Sequence, residues 1–458
     1  MTVYDVIIVG GGPGGYVAAV RAAKLGKKVA LVEADLLGGA CLNKGCIPSK
    51  TLLNYAEVIE QVDIARSWGI NSGSLMLDYK RMLERKDEIV QTLRNGVESL
   101  LHNNKVDIYN GIAEVTSGHQ VVVDEDTELK GEKIIIASGS RPSIPPVNGL
   151  EQIDYHTTDS IFEMNYIPDS IVIVGGGVIG TEIADMFSSF GTKVTIIELN
   201  ERIIPTEDES ASNHLLKALR KKGVKILLKH QVNEVSQDTS NKKLVISDDS
   251  GKTITLTADE LLIATGRSPN TDLIKQLELD MNGHFIKTNE YLETSIKGIF
   301  AIGDVIGNYQ LAHVASSEAL TAVANLDKPQ IKANYSVIPR CIYTSPQVAT
   351  VGMIEGELRK RNIKYRVYTF NFDRNGMALV TGKTEGFSKI MIDEKYGEIL
   401  GVVMVGDHAT EIISQSSSYM YLEGTIDELA KMIQPHPSLS EVLMESANSL
   451  IGKGIHSN

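Results

Sequence analysis

The chain has 458 residues, a formal net charge of −13 and a hydrophobic fraction of 42%. This length predicts about three domains, and the acidic balance argues against a nucleic acid or an anionic membrane as a partner. Three cysteines are too few for the disulfide framework of a small secreted protein. No apolar run approaches the ~20 residues of a membrane helix, and the amino-terminal residues lack the features of a signal peptide. The sequence therefore predicts a cytoplasmic protein.

The amino-terminal stretch YDVIIVGGGPGGYVAAVRAAKLGKKVALVE predicts a strand, a glycine turn, a helix and a second strand. Gly10, Gly12 and Gly15 follow the spacing G-x-G-x-x-G, which permits a tight turn, a close approach to a pyrophosphate and close packing of helix on strand. The amino terminus of the helix would offer unpaired N–H groups to phosphates. Glu33, at the end of the second strand, is placed to accept hydrogen bonds from ribose hydroxyl groups.

The same pattern recurs at SIVIVGGGVIGTEIADMFSSFGTKVTIIE. Gly175, Gly177 and Gly180 occupy the three glycine positions, and Glu198 follows at the spacing that Glu33 has in the first copy. A carboxylate at Glu198 favours a free 2′-hydroxyl group and repels a 2′-phosphate, which indicates NAD rather than NADP. Two such units predict an α/β fold with two Rossmann-like dinucleotide-binding domains, between which electrons pass.

Two of the three cysteines, Cys41 and Cys46, lie in the stretch GGACLNKGCIPSK. A helix is predicted from Pro48 onward, so Cys46 lies near a helix amino terminus, where the dipole favours the thiolate. A zinc site needs four ligands, and a structural disulfide is unusual in a reducing compartment. The pattern favours a redox-active disulfide, with zinc and a structural disulfide as alternatives. Residues five apart can bond only if the turn is irregular, which Gly45 permits.

Several stretches carry a resemblance to a known family. GGACLNKGCIPSK resembles the active-site segment of the flavin disulfide reductases, the class I pyridine nucleotide–disulfide oxidoreductases, and CIPSK is similar to their dihydrolipoamide-oxidising members. TSIKGIFAIGD and LAHVASSEA resemble the family's second flavin motif and a helix start on its flavin side, and HPSLSE resembles its terminal catalytic motif. The resemblance runs over essentially the whole chain and implies FAD on the first unit and NAD on the second.

The resemblance also implies an activity, namely the oxidation of protein-bound dihydrolipoamide to lipoamide. Cys41 would form the mixed disulfide with the substrate, and Cys46 would face the flavin and pass electrons to it. His436 would act as the general base, oriented by Glu441, and it would reach the cysteines from the other subunit of a homodimer. Gln434 stands where a second histidine is common in the family.

Further cofactor contacts follow from the resemblance. Lys50 would be a cation near the flavin ring, paired with Glu182, and both count among the catalytic and the cofactor-binding residues. No metal is expected. The remaining predicted cofactor-binding residues are Ala113, Ser138, Gly139, Ser140, Val232, Gly266, Asp304, Leu311, Ala312 and His313.

The predicted organisation has four parts: an FAD-binding domain at 1–143, an NAD-binding domain at 144–265, a central domain at 266–333 that completes the flavin site, and an α+β dimerisation domain at 334–458. The implied partner is the lipoyl-bearing acyltransferase component of a 2-oxo acid dehydrogenase complex, or of an acetoin or glycine cleavage system. The alternatives are another NAD(P)H-dependent flavin disulfide reductase and a mainly structural docking subunit.

Overall fold

The computed structural model describes residues 2–71, 73–116, 119–238 and 241–456. It contains two sheets that each begin with a strand, a glycine turn and a helix, and a third, antiparallel sheet formed by the carboxyl-terminal part of the chain. The predicted α/β fold class is confirmed. Among the described helices, none combines the length and the apolar character that crossing a membrane requires.

The first sheet is built around an apolar strand, β1, which pairs in parallel with β2 and with β6. The sheet order is β3-β2-β1-β6-β5-β4, and the β4-β5-β6 portion is antiparallel. Residues Val6–Val9 are buried because both faces of the sheet are covered. The elements are β1 (Thr2–Val9), α1 (Pro13–Lys24), β2 (Val29–Glu33), α2 (Gly39–Lys44), α3 (Cys46–Ser67), α4 (Tyr79–Asn103), β3 (Asp107–Asn110), β4 (Ala113–Thr116), β5 (Gln120–Val123), β6 (Thr127–Ile136) and β7 (Ser140–Pro142).

The second sheet repeats the parallel arrangement in the order β10-β9-β8-β14. An antiparallel three-stranded sheet, β11-β12-β13, is inserted before the last parallel strand. The glycine turn follows β8, so its position in this sheet matches that of the first glycine turn after β1. The elements are β8 (Ser170–Val174), α5 (Val178–Ser189), β9 (Lys193–Glu198), α6 (Glu209–Lys221), β10 (Lys225–Leu228), β11 (His230–Gln237), β12 (Lys242–Asp248), β13 (Thr253–Ala258) and β14 (Glu260–Ile263).

After the second sheet the chain returns to the first. Strand β15 pairs with β7, so the two crossings between the sheets lie side by side. Strand β18 then pairs in parallel with β6, and its residues share the core of the first sheet. The domain boundaries themselves stay a prediction. The elements are β15 (Arg267–Pro269), β16 (Met281–Asn282), β17 (Phe285–Ile286), β18 (Ile299–Ala301) and α7 (Ala312–Ala324).

The third sheet is a five-stranded antiparallel sheet in the order β19-β20-β23-β22-β21. Its central strand β23 is buried along its whole length. Helices α10 and α12 pack on this sheet. The loop that precedes α12, which contains His436, lies at the surface. The elements are β19 (Arg340–Ile342), β20 (Gln347–Gly352), α8 (Glu355–Lys360), β21 (Tyr365–Asn371), α9 (Gly376–Thr381), β22 (Phe387–Asp393), β23 (Ile399–Gly406), α10 (Ala409–Tyr421), α11 (Ile426–Lys431) and α12 (Glu441–Leu450).

Candidate active site

A disulfide between Cys41 and Cys46 lies at the junction of α2 and α3, with the two Cα atoms 4.8 Å apart. Gly45 separates the two helices and has φ −133° and ψ −101°, which breaks the helical path. Helix α3 begins at Cys46 rather than at the predicted Pro48. The Cys46 sulfur therefore lies at the amino terminus of a 22-residue helix, where the dipole favours a thiolate.

Lys50 lies one turn beyond Cys46 on α3 and pairs with Glu182 of α5, at 2.8 Å between Nζ and Oε2. Glu182 is buried, and its Oε1 also accepts a hydrogen bond of 2.9 Å from the backbone N–H of Tyr343. The Lys50 ammonium lies 4.6 Å from the centre of the Tyr343 ring. The pair that the resemblance implied is thus present, and it links the first and the second parallel sheets next to the disulfide.

The glycine turns fit a dinucleotide at both sheets. A Cβ atom on Gly15 would lie 1.7 Å from the carbonyl oxygen of Gly10, and one on Gly180 would lie 2.0 Å from that of Gly175, so these turns require glycine for their own packing. At the middle glycine of the first motif, Gly12, a Cβ atom would meet only the Cα atom of Gly39, at 3.9 Å.

The corresponding glycine of the second motif, Gly177, would place a Cβ atom in open space. Gly12 and Gly177 both have a negative φ, near −70°, that any residue can adopt. Neither the backbone nor the packing of the chain therefore demands glycine at these two positions. A closely approaching pyrophosphate at the start of α1 and of α5 does demand it.

The acids at the strand ends brace these turns. Glu33 accepts hydrogen bonds from the backbone N–H of Gly11 at 2.5 Å and of Asp35 at 2.8 Å. Glu198 accepts them from Gly176 at 2.7 Å and from Asn200. Each carboxylate thus holds the glycine turn against the following strand, beside the predicted ribose position.

The flavin motif around Asp304 is joined to both crossings. Asp304 Oδ2 accepts a 2.5 Å hydrogen bond from the hydroxyl group of Ser140, and the Nε atom of Arg267 lies 3.9 Å away. Arg267 also donates to the Ser140 hydroxyl and carbonyl oxygens, at 2.7 and 2.6 Å. Gly266, with φ +109°, precedes this arginine and accepts a hydrogen bond from the backbone N–H of Ser143.

Asn270 holds the first crossing in place. Its side chain donates to the carbonyl oxygen of Ser138 at 2.9 Å, and its backbone N–H donates to that of Gly139 at 3.0 Å. The Ser138 hydroxyl donates to the carbonyl oxygen of Asn270 at 2.7 Å. The residues predicted at the crossings are therefore brought together with Asp304 on one edge of the first sheet.

The other predicted flavin contacts lie at element starts. Leu311 is the amino-terminal cap of α7 and Ala312 its first residue. The Nε2 atom of His313 lies 3.0 Å from the carbonyl oxygen of Pro339, and burial lowers the pKa of this imidazole. Ala113 begins β4, close after the carboxyl end of β3, and Val232 is buried in β11. Their contacts with a cofactor stay a prediction.

His436 and Glu441 form a hydrogen-bonded pair at the start of α12, with 2.9 Å between Nδ1 and Oε1. The other oxygen of Glu441 accepts a 2.8 Å hydrogen bond from the backbone N–H of Ser438. His436 is 79% exposed, and within the described chain it forms no hydrogen bond with Cys41 or Cys46. The hydrogen bond fixes the orientation of the imidazole, and the exposed ring is accessible to another molecule.

Gln434, two residues before His436, is buried, and its side-chain N–H group is among the described buried polar groups without a partner. This unpaired amide stands where a second histidine is common in the family. Ser438, on the other side of His436, has a buried hydroxyl group that likewise lacks a partner.

Sequence reasoning missed three residues that complete this site: Arg267, Asn270 and Tyr343. Arg267 and Asn270 follow Gly266 in the stretch ATGRSPN. A guanidinium group and an amide directly after the second crossing were the signal that could have identified them. The remaining cysteine, Cys341, is half-buried with its sulfur 4.0 Å from the carbonyl oxygen of Thr410, and burial raises the pKa of its thiol to about 11. The described residues contain no group of three or more His, Cys, Asp or Glu side chains suited to a metal.

Comparison with known proteins agrees with this geometry. Residues 4–319 match the family model for pyridine nucleotide–disulphide oxidoreductases, and residues 338–447 match the dimerisation domain of the same family. A dihydrolipoyl dehydrogenase of Bacillus subtilis is 40% identical over 99% of this chain and 99% of its own. A dihydrolipoyl dehydrogenase of Acholeplasma laidlawii is 44% identical over 72% of this chain and 99% of its own.

Among solved structures, the Cu(II) complex of the HOCl-induced flavoprotein disulfide reductase RclA from Escherichia coli superposes with a TM-score of 0.89 at 29% identity. The superposition covers 98% of this chain and 100% of that one. The fold and the disulfide between Cys41 and Cys46 agree with both family models. The chain belongs to the pyridine nucleotide–disulphide oxidoreductase family.

Proposed function

We propose that this protein is a dihydrolipoyl dehydrogenase, an enzyme that oxidises protein-bound dihydrolipoamide to lipoamide and reduces NAD. The observation that carries the proposal is the disulfide between Cys41 and Cys46 at the amino terminus of α3, next to the Lys50–Glu182 pair. The full-length similarity to dihydrolipoyl dehydrogenases supports this choice of substrate within the family.

The thiol chemistry uses the two cysteines in sequence. One thiolate of dihydrolipoamide attacks the sulfur of Cys41, the bond between the cysteines breaks, and Cys46 leaves as a thiolate. The second substrate thiolate then attacks the substrate sulfur of the mixed disulfide, which closes the ring of lipoamide and releases Cys41. Two electrons have then moved from the substrate to the cysteine pair.

The leaving thiolate is stabilised by two features of α3. The helix amino terminus presents its unpaired N–H groups at Cys46, and no acidic residue lies in the first turn. Lys50 adds a positive charge one turn along the same helix. Its ion pair with the buried carboxylate of Glu182 holds the ammonium group in place. FAD, held at the first glycine turn, would supply the two-electron acceptor that links this dithiol to NAD.

His436 takes the proton from the substrate thiol, because a thiol near neutral pH supplies little thiolate by itself. Glu441 accepts the hydrogen bond of the Nδ1 atom and leaves the Nε2 atom free to act as the base. Since His436 is exposed and forms no described hydrogen bond with the disulfide of its own chain, we assign it to the disulfide of the partner subunit. The match to the dimerisation domain supports this arrangement.

The substrate dithiol is carried by another protein in this proposal. The partner is the lipoyl-bearing acyltransferase component of a dehydrogenase complex, a choice that fits the dihydrolipoyl substrate for which the relatives are named. A lipoyl group on a flexible arm is small enough to enter a cleft between two protomers, so this partner needs only a peripheral contact with the dimer.

The decisive experiment measures the reduction of NAD by dihydrolipoamide with purified full-length protein. The wild type should turn over, and Cys46→Ser should lose turnover while still folding. Cys341→Ser is the matched control, because this half-buried thiol has no role in the exchange, and it should retain activity. A wild type that reduces another disulfide with NADPH, but leaves dihydrolipoamide unreacted, would identify a different disulfide reductase. A wild type that binds the acyltransferase without any turnover would identify a docking subunit.

A further inference from the structure

Glu318 is a carboxyl group in the interior of the protein that takes no part in the thiol chemistry. It lies in the middle of α7 and is 2% exposed. Its neighbours on the buried face of the helix are Val314, Ala315, Ala319 and Ala322. An apolar side chain would suit this position, so the carboxylate needs a specific reason.

The carboxylate holds the turn that carries the flavin motif. Its Oε2 atom accepts a 2.7 Å hydrogen bond from the backbone N–H of Gly303, which follows β18 and has φ +75°. Its Oε1 atom accepts a 2.7 Å hydrogen bond from the hydroxyl group of Tyr335, which belongs to the segment after α7. Both oxygens are thus used to fix segments other than the helix itself.

The next residue of this turn, Asp304, points in another direction. Its carboxylate meets the hydroxyl group of Ser140, with the Arg267 guanidinium group nearby, and remains one-quarter exposed. Glu318 therefore acts on the backbone of the turn from inside the protein, while Asp304 offers its side chain at the edge of the sheet. The orientation of Asp304 depends on the dihedral angles of the turn, which the Glu318 bond helps to set.

Tyr335 ties a further segment to the same carboxylate. Its ring stacks on that of Tyr309, with the ring centres 5.8 Å apart, and its hydroxyl oxygen accepts a 3.2 Å hydrogen bond from the side chain of Asn308. Gly303, directly before Asp304, is therefore bonded to Glu318, and Asn308 and Tyr309, within the loop before α7, contact Tyr335. Burial and the nearby Asp304 charge raise the pKa of Glu318 to about 7, although the hydrogen bonds from Tyr335 and Gly303 act to lower it.

We propose that Glu318 is a positioning residue of the flavin site: through the backbone N–H of Gly303 it holds Asp304 where a flavin ribityl or phosphate group is bound. The inference rests on the proposed FAD-binding function and adds to it a residue that does not touch the cofactor. A purely structural carboxylate would support the folded protein equally with and without FAD, whereas a positioning residue makes FAD binding itself weaker when it is lost.

The test compares Glu318→Leu and Glu318→Gln with the wild type in full-length protein from which FAD has been removed and to which it is added back. Glu318→Leu removes both acceptors, and we expect FAD affinity to fall on the order of tenfold, the effect of one lost hydrogen bond. Glu318→Gln keeps an acceptor for Gly303, and it should bind FAD within about threefold of the wild type. FAD should also raise the melting temperature of Glu318→Leu by less than it raises that of the wild type.

Glu260 provides the matched control. It is also a buried glutamate that accepts a hydrogen bond from a tyrosine hydroxyl, that of Tyr166, but it lies in the second sheet, at the start of β14. Glu260→Leu should lower the melting temperature of both the apoprotein and the FAD-loaded protein without changing FAD affinity.

Four results would decide between these possibilities. FAD binding by Glu318→Leu that equals wild-type binding would overturn the inference, and so would a Gln variant as weak as the Leu variant. If Glu318→Leu does not fold, Glu318→Met serves in its place, since its unbranched side chain also offers Gly303 no carboxylate oxygen, and unchanged FAD affinity in that variant would overturn the inference as well. A wild type that binds no FAD would instead refute the proposed function.

Discussion

Lys50 and Glu182 form an ion pair of 2.8 Å that joins the helix beginning at Cys46 to the first turns of the helix that follows the second glycine motif. The two residues are far apart in sequence, yet this contact places the disulfide between the two predicted dinucleotide sites. The Glu182 carboxylate also accepts a hydrogen bond from the backbone N–H of Tyr343, the residue directly after β19. The carboxyl-terminal part of the chain therefore also contacts this ion pair. The redox centre is therefore a meeting point of three parts of the chain.

Removing the charge of Lys50 should make the Cys46 thiolate less stable. In a Cys41→Ser background, the pH at which half of Cys46 reacts with iodoacetamide should rise by about one unit in Lys50→Met, because the cation one turn away is lost. Cys341 should contribute little to the alkylation, since burial raises the pKa of its thiol to about 11. Lys50→Arg is the control and should keep the original midpoint. Identical midpoints with and without the Lys50→Met substitution would contradict the role given to this charge.

The glycine motifs should separate cofactor binding from folding. Gly12→Ala should reduce FAD retention and Gly177→Ala should raise the KM for NAD, each on the order of tenfold or more, because a methyl group would fill space left for a pyrophosphate. The melting temperature of the apoprotein should stay unchanged in both variants. Gly180→Ala should behave differently and lower stability, because its Cβ atom would lie 2.0 Å from the carbonyl oxygen of Gly175. If Gly177→Ala lowered the melting temperature as much as Gly180→Ala does, Gly177 would be required by the fold rather than by NAD.

Two inactive variants should restore activity together. His436→Gln should reduce turnover by about 10²–10⁴-fold, as the loss of a general base does, and Cys46→Ser should abolish it. If His436 acts on the disulfide of the partner subunit, a heterodimer of the two variants contains one site with both residues intact. Unfolding and reassembling an equal mixture should then recover a substantial part of the wild-type activity. No recovery, with heterodimers demonstrated by tagged subunits, would place the base and the disulfide in one chain.

The buried carboxyl group of Glu318 should make stability depend on pH. Its pKa is raised from 4.5 to about 7, so the folded state binds a proton more tightly than the unfolded state does. Its contribution to stability is thus highest in acid and is lost as the pH rises from about 5 to about 7, by roughly 2 kcal/mol. Glu318→Gln cannot ionise, and its free energy of unfolding relative to the wild type should increase over this range. Parallel stability profiles for the two proteins, measured by urea unfolding between about pH 5 and pH 8, would contradict the shift.

The local features of the chain were predictable because they depend on neighbouring residues. An apolar strand, a glycine turn and an Ala-rich helix specify β1 and α1 within a short stretch, and the second copy specifies β8 and α5 in the same way. Helix α4, from Tyr79 to Asn103, is likewise set locally, because its apolar and charged residues follow the helical period. The Lys50–Glu182 pair was also expected, but only from the family resemblance, since nothing local connects the two residues.

The contacts around Asp304 could not be predicted from local sequence patterns. Arg267 reaches Ser140 and Asp304 because β15 pairs with β7. Glu318 reaches Gly303 because α7 packs against α1 and shares the core of the first sheet. A charged residue in a helix is usually solvated. Apolar residues flank Glu318 at helical spacing, but nothing in the sequence identifies the N–H group that its carboxylate meets. Its role depends on the packing of segments that share no local pattern.

Sequence alone thus determined the two dinucleotide units, the cysteine pair and the chemistry it supports, because spacing and residue type over short stretches are enough to set turns, helix ends and thiol reactivity. Tertiary structure decided which distant side chains meet: the pairing of Lys50 with Glu182, the hydrogen bond of Glu318 with Gly303, and the contact of Arg267 with Ser140. Such contacts depend on how the sheets pack and cross, and packing is a property of the whole chain rather than of any single stretch.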